Sequence, residues 1–387
     1  MVPTVAGLDE LLSPDGWPYA SAASGRYHAL FGRDSAIVSL QVLPARPEVA
    51  RATLRALASL QGRAADPATE EEPGKIVHEW WPRAPRRLAD AGWPVRDGEL
   101  RYYGSADSTS WFLIVLASLH DRSLAAELEA AWRAAGGWLE RALDRGEGLI
   151  RHGPRRGGGG LVQQGWRDAE DPTDPAHHGA GILTPGGELP PPPVADAESQ
   201  AAAVVALRAL AVLSQHERHH EEAARLCARI ERDFGAETLA IAGDRRRVPG
   251  AGSQIGWLLW GDVLSASGRE RAAERLCQPD LLTPWGLRTL SSEHPRYAAD
   301  AYHRGAVWPF DSWLGWGGLR AAGRAEAEPL RAGVLGAIQS LGGAPELYAA
   351  GADGPVPIAI ANRLQAWTAG ARWALENGWD GRAATLF

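Results

Sequence analysis

The chain has 387 residues, 45% hydrophobic and 22% charged, enough for one large core and unlike the composition of a disordered protein. Its 40 Lys+Arg against 47 Asp+Glu give a net charge of -7, which argues against nucleic acid or an anionic membrane as the main partner, since both need a positive field. Two cysteines, Cys227 and Cys277, exclude a disulfide framework and fall in Ala/Leu/Arg-rich segments that predict buried free thiols. No apolar run is long enough to span a bilayer on this reading, and the N-terminus has no basic region leading into an apolar stretch. A cytoplasmic protein is the expectation.

In chain order, apolar residues at helical spacing predict helices at 34–45, 48–62, 107–121, 122–144, 196–215, 218–236, 252–265, 268–278, 305–323, 324–343 and 360–378. Asp107-Ser108-Thr109, Asp196-Ala197-Glu198 and Gly252-Ser253 supply start signals, while Gly62, Gly268 and Gly323 punctuate periodic stretches. No alternating runs predict a substantial sheet, though short strands near Leu149-Ile150 or Val162 are compatible with the pattern.

The connections alternate in length. Links within successive helix pairs are short, whereas 63–106, 145–195, 279–304 and 344–359 are long, and loops of that length are usually functional. If helices run alternately up and down, every long loop emerges at one end and feeds the next odd-numbered helix. A closed toroid of helical hairpins, an all-α (α/α)6 barrel occupying 1–387 as one domain, fits this pattern. The twelfth helix is expected in Val5–Leu12 or beyond Trp379.

Unusual polar–aromatic clusters fall on the same loops: FGRDS at 31–35, HEWWP at 78–82, YYGSAD at 102–107, QQGWRDAEDP at 163–172, EHPRYAADAYHRGAVWPFD at 293–311 and PELY at 345–348. Charged residues among Gly and Trp, outside helical periodicity, point to a polar site lined by aromatics. The 17 tryptophans against 7 Tyr and 5 Phe strengthen this, because indole faces stack on the apolar faces of sugars. The three histidines His216, His219 and His220 lie in a short helix–helix link and read as exposed, so neither a metal nor a cofactor is expected.

The order of FGRDS, GK-x-x-HE, YYGS-x-D, QGW-x-D, E-x-Q, GLRTLS-x-x-HPRY, YH-x-G-x-VWP-x-D, PEL and QAW resembles the catalytic domain of the amylo-α-1,6-glucosidase (glycogen-debranching) family. The matching pieces are Phe31–Ser35, Gly74–Glu79, Tyr102–Asp107, Gln164–Asp168, Glu198–Gln200, Gly286–Tyr297, Tyr302–Asp311, Pro345–Leu347 and Gln365–Trp367, colinear over nearly the whole chain. The resemblance implies an (α/α)6 barrel and an inverting glucosidase, with Asp168 as acid, Glu346 as base, and Arg33-Asp34 holding the terminal sugar. The β-rich domain and the (β/α)8 transferase domain of relatives are not expected here.

Elementary chemistry agrees on the pair of acids. Inversion needs a protonated carboxyl at the leaving oxygen and a carboxylate activating water on the opposite face, from chain regions that meet across a pocket. Trp166 beside Asp168 favours its protonation by apolar bulk, and Arg167 opposes this if it points inward. Arg33 and Asp34 suit chelation of vicinal hydroxyls, with Asp34 as a helix first-turn charge the alternative. His78, Glu79, Asp107, Glu198, Gln200, His303 and Asp311 are candidates for hydroxyl contacts or for structural hydrogen bonding. Trp80, Trp166 and Trp308 are candidates for sugar stacking, with core packing the competitor. The expected substrate is an α-1,6-glucosidic oligosaccharide. The alternatives are a small α-glycoside such as a glucosyl or mannosyl compatible solute, a sugar epimerase using His78, His294 and His303, or a non-catalytic sugar-binding protein.

Overall fold

The computed structural model describes residues 4–155, 158–170, 179–383 and 386–387. Its helices in chain order are α1 (Gly32–Gln41), α2 (Pro47–Ser59), α3 (Arg86–Asp90), α4 (Ser108–Ser118), α5 (Arg122–Glu127), α6 (Glu129–Arg145), α7 (Ala197–Ser214), α8 (Arg218–Asp233), α9 (Gln254–Trp260), α10 (Ala266–Leu276), α11 (Pro309–Ala321), α12 (Ala327–Leu341) and α13 (Ala366–Glu376). Each packs on its neighbours in the order α1, α4, α7, α9, α11, α13 and back to α1, which closes an inner ring of six helices. Every residue of α1, α4 and α9 is buried. Such helices carry no amphipathic stripe, because both sides meet protein. The outer helices α2, α6, α8, α10 and α12 bury one face each and expose the other, the ordinary pattern of a surface helix. This is the (α/α)6 barrel.

Three features depart from the sequence reading. The segment 122–144 is broken at Leu128 into α5 and α6. Among the described residues the twelfth position holds no regular helix: the N-terminal segment makes one 3-10 turn, Asp9–Leu11, with Val5, Leu8 and Leu11 in the main core. A Cβ on Gly7 would lie 3.2 Å from Leu364 and 3.9 Å from Ala369 at the start of α13, so this segment takes the place of a twelfth helix beside it. Finally, α7 is by length and composition apolar enough to cross a membrane, with hydropathy 1.3 over 18 residues, yet 78% of it is buried. It is an inner-ring helix, and its apolarity is that of a core.

The long connections 63–106, 145–195, 279–304 and 344–359 lead into the N-termini of the inner helices α4, α7, α11 and α13. Those loops fold into small antiparallel sheets instead of remaining irregular. Strands β1 (Leu30–Phe31), β2 (Glu79–Trp81) and β3 (Leu100–Tyr102) form one sheet in that order, pairing Phe31 with Glu79 and Glu79 with Tyr102. Strand β4 (Ala195–Asp196) opens α7 and pairs with β5 (Thr238–Ile241), which pairs with β6 (Arg247–Pro249). Val307, at the entrance of α11, exchanges backbone hydrogen bonds of 2.8 and 3.0 Å with Tyr348, tying the loop that carries Glu346 to the ring.

Candidate active site

A cleft of about 900 Å³ opens over the inner-helix N-termini, lined by residues from β1, β2, α1, the α3 segment, the 161–170 loop, the 302–308 loop, Glu346 and the start of α13. Asp168 and Glu346 both line it. Asp168 is partly exposed, with 26% of its side chain accessible, and its Oδ2 accepts from Arg33 Nη2 at 2.5 Å. The Arg33 guanidinium is itself buried and also donates to Asp107 Oδ1 at 3.3 Å.

Glu346 is 1% exposed. Its Oε1 accepts from the Tyr302 hydroxyl at 2.6 Å, and its Oε2 accepts from Asn362 N and Nδ2, both at 2.9 Å. Burial pushes the carboxyl up to about 7, against these donors, which favour the ionised form. Two more buried acids share the cleft. Burial raises Asp34 to about 7, opposed by Arg33, and raises Glu79 to about 8, opposed by the Trp81 indole donating to it at 2.5 Å. His78 sits edge-on between Phe31 and Tyr102, with Nε2 4.0 Å from Asp168 Oδ2, and burial holds it well below the usual histidine range, neutral.

An aromatic floor completes the site. Trp308 stacks on His303 at 5.3 Å and donates from Nε1 to Tyr302 O at 2.7 Å. Trp166 packs edge-on against both rings, and Trp367 stacks on Phe310 at 4.0 Å. The site therefore combines two carboxyls from distant chain segments with aromatic faces and further buried acids. That chemistry suits acid–base cleavage of a sugar bond.

The family model for the mannosylglycerate hydrolase MGH1-like glycoside hydrolase domain matches residues 33–350. The chain belongs to this family of glycoside hydrolases. It is similar to a GH63 mannosylglycerate hydrolase from Thermus thermophilus, solved with Tris and D-glycerate, at 17% identity and TM-score 0.69, covering 96% of this chain and 98% of that one. The same enzyme solved with glucose matches at 18% identity and TM-score 0.69, covering 96% and 99%. These likenesses establish the fold. No curated protein matches the sequence. The matched family is related to the amylo-α-1,6-glucosidase family that the motifs resemble, both being helical-barrel glycoside hydrolases.

Within this glycoside hydrolase, the predicted site residues divide. Arg33, Asp34, His78, Glu79, Trp166, Asp168, His303, Trp308 and Glu346 all line the cleft. Trp80 does not. On a pleated strand successive side chains alternate, so Glu79 and Trp81 face the cleft while Trp80 turns to Trp17, 6.0 Å away, and donates to Glu99 at 2.7 Å. Asp107 lies beneath the site, 0% exposed, where it holds Arg33 and accepts from Ser105 at 3.0 Å. Glu198 is buried against Arg167 Nε at 2.7 Å and Trp166 Nε1 at 2.9 Å. Gln200 bonds the backbone of Ile150 and Asp196, and Asp311 accepts from Trp257 Nε1 at 2.7 Å. These four support the floor and do not reach the cleft.

Arg167 turns away from Asp168 altogether, into Glu198, Thr289 O, His303 O and Ser253. The guanidinium beside Asp168 is Arg33, so the pair expected to chelate hydroxyls has its arginine occupied by carboxylates. Glu170, a rival for the acid role by its nearness in sequence, lines the cleft mouth, accepting from Trp93 Nε1 at 2.6 Å; Asp171 lies outside the described residues. His219, expected exposed, is 4% exposed and bonded to Ser214 and Glu140. His294 is absent from the cleft lining. Cys227 and Cys277 are free and half-buried.

Sequence reasoning missed Tyr27, Trp81, Arg87, Trp93, Tyr302, Asn362 and Trp367. Trp81 was legible from its strand alternation with Glu79, and Tyr302 from adjoining His303. Asn362 gave no signal, because nothing local marks which loop asparagine reaches a carboxylate.

Proposed function

We propose that this glycoside hydrolase cleaves a small α-glycoside, of the mannosyl or glucosyl compatible-solute kind, with inversion at the anomeric carbon. The observation that carries the size limit is the 82–99 segment. Lying between β2 and β3, it contributes Arg87, Leu88 and Trp93 to the cleft lining, and Trp93 donates to Glu170 of the 161–170 loop, which lines the cleft as well. A rim built this way suits a short aglycone better than a polymer branch. That solved relatives of this fold hold D-glycerate and glucose supports the same reading over α-1,6-glucan debranching.

In this reading water attacks the anomeric carbon from the side of Glu346, which takes its proton as the C–O bond breaks. Asp168 gives a proton to the departing glycosidic oxygen. The Arg33–Asp168 pair has to loosen as that proton is carried, because a neutral carboxyl no longer attracts the guanidinium. Asp34, Glu79 and His78 supply hydroxyl contacts, and Trp81, Trp166 and Trp308 supply apolar faces. Glu346 must be ionised to act as base. With its carboxyl pushed up to about 7, activity declines as pH falls through that value.

The test is sugar release from mannosyl and glucosyl glycosides of short hydroxy acids and polyols, beside isomaltose, panose and a limit dextrin, with product anomers followed by NMR. Asp168→Asn and Glu346→Gln are expected to lose about 10²–10⁴ in kcat, the worth of a general acid or base. A retained anomeric configuration, or full activity in either variant, overturns the mechanism. Cleavage of the limit dextrin alone overturns the substrate class.

A further inference from the structure

The hydrogen bonds around Glu346 form a closed circuit. Asn362, 7% exposed, donates from both N and Nδ2 to Glu346 Oε2, and its Oδ1 accepts from Arg26 N at 2.8 Å. Arg26 leads into Tyr27, whose hydroxyl is hydrogen-bonded to that of Tyr302, and Tyr302 donates to Glu346 Oε1. Glu346 N in turn donates to Asn362 O at 2.9 Å. The base is thus held from two sides by one loop asparagine and one tyrosine, both tied to the 25–27 turn.

A carboxylate offers about four lone-pair sites. Here two on Oε2 and one on Oε1 are taken, so the open position is on Oε1, the oxygen that also meets Tyr302. We infer that Asn362 is a positioning residue for the base: it fixes the rotation of the Glu346 carboxylate so that Oε1 alone is presented to the attacking water. This rests on Glu346 being the base of the proposed reaction. Only a side-chain amide both donates to the carboxylate and accepts from the turn. An aspartate would set a second negative oxygen against Oε2, and a leucine would do neither. The close approach of the turn is built in as well, since a Cβ on Gly25 would stand 2.7 Å from Asn362 Oδ1 and collide with Ser21.

Donors to a carboxylate favour its ionised form, so removing Nδ2 moves Glu346 further up. The titratable and charged groups facing Glu346 are Tyr27, Tyr302, Asp34, Asp168 and, near Tyr27, Arg26. A change at 362 substitutes none of them, though it frees Arg26 N from Asn362 Oδ1. In Asn362→Ala we expect kcat to fall about 10- to 100-fold with KM changed less than about threefold, and the acid limb to move up by about one pH unit. Asn362→Asp moves it further.

Carboxyl infrared titration gives the second readout, with the Glu346 band assigned by difference against Glu346→Gln. It needs no turnover, so it separates this inference from the substrate reading. An upward displacement of that band's midpoint in Asn362→Ala supports the role even if no glycoside is cleaved. An unmoved midpoint at native Tm overturns it, and so does a kcat loss with the acid limb in place. Should Asn362→Ala fail to fold, Asn362→Ser, which keeps a short polar side chain without the amide, is read the same way.

Discussion

Glu79 offers a direct measurement of what the cleft does to its acids. It lies on β2, 4% exposed, and burial is the first cause of its rise to about 8, with Glu170 and Asp168 adding repulsion and the Trp81 indole pulling the other way. A carboxyl whose folded value lies above its ordinary 4.5 is protonated in the folded chain where the unfolded chain has already released the proton. Stability therefore declines as pH rises from 4.5 to about 8 and levels off above. At about 1.36 kcal/mol per pH unit the full difference is about 5 kcal/mol. Glu79→Gln keeps an oxygen for the Trp81 N–H and removes the titration. Urea unfolding at pH 4.5, 6.5 and 9 is expected to find the two proteins within about 1 kcal/mol at the lowest pH, with the variant more stable by several kcal/mol at the highest. A residual slope from Asp34 and Glu346 remains in both. A variant–wild-type difference independent of pH would refute the argument that burial dominates this site.

Two further outcomes separate the cleft from its supports. Trp81→Ala is expected to raise KM about tenfold, equivalent to about 1.4 kcal/mol of lost contact, while Trp80→Ala leaves KM in place and lowers stability by about 3 kcal/mol; steady-state kinetics beside unfolding midpoints check both, and an equal KM effect of the two would mean the β2 pleat is wrongly assigned. Glu198→Ala strands the Arg167 guanidinium, 2% exposed, without its carboxylate, and a broken buried pair of this kind costs about 3–5 kcal/mol. A Tm close to wild type with a raised KM would instead make Glu198 a substrate contact.

The ring was legible because its outer helices carry an amphipathic stripe, and three of its inner ones, α4, α7 and α9, still begin at residues of capping type, Asp107, Asp196 and Ser253. The loops betrayed the site through their composition. What composition did not reveal was direction. Trp80 and Trp81 differ by one step along a three-residue strand, and the pleat alone decides which indole faces the cleft. Asp107 reads as a helix cap, and it does stand at the N-terminus of α4, but its side chain makes no capping bond and turns to Arg33. Glu198, Gln200 and Asp311 share the setting of true cleft residues, polar at a helix start among aromatics, yet they lie one layer below it. Distinguishing the layers requires knowing which neighbour fills the space above, and that is a long-range fact.

The same geometry explains how so many acids tolerate burial together. Asp34, Glu198 and Asp311 occupy the first turns of α1, α7 and α11, and Asp196 caps α7 through Ser199 N at 2.8 Å. An α-helix presents about half a positive charge at its N-terminus, and the barrel gathers six such ends under one cleft. The field they supply is fixed and cannot be screened by reorienting water. It favours negative charge where the low dielectric disfavours it, and the deep acids divide according to which effect is larger. Asp196, which adds a cap bond and His152 at 3.0 Å, ends below its ordinary value, whereas Asp34, with Arg33 no nearer than 3.9 Å, ends well above it. Burial therefore raises these deep acids, and a helix start keeps one ionised only where a cap bond and a facing imidazole add to it.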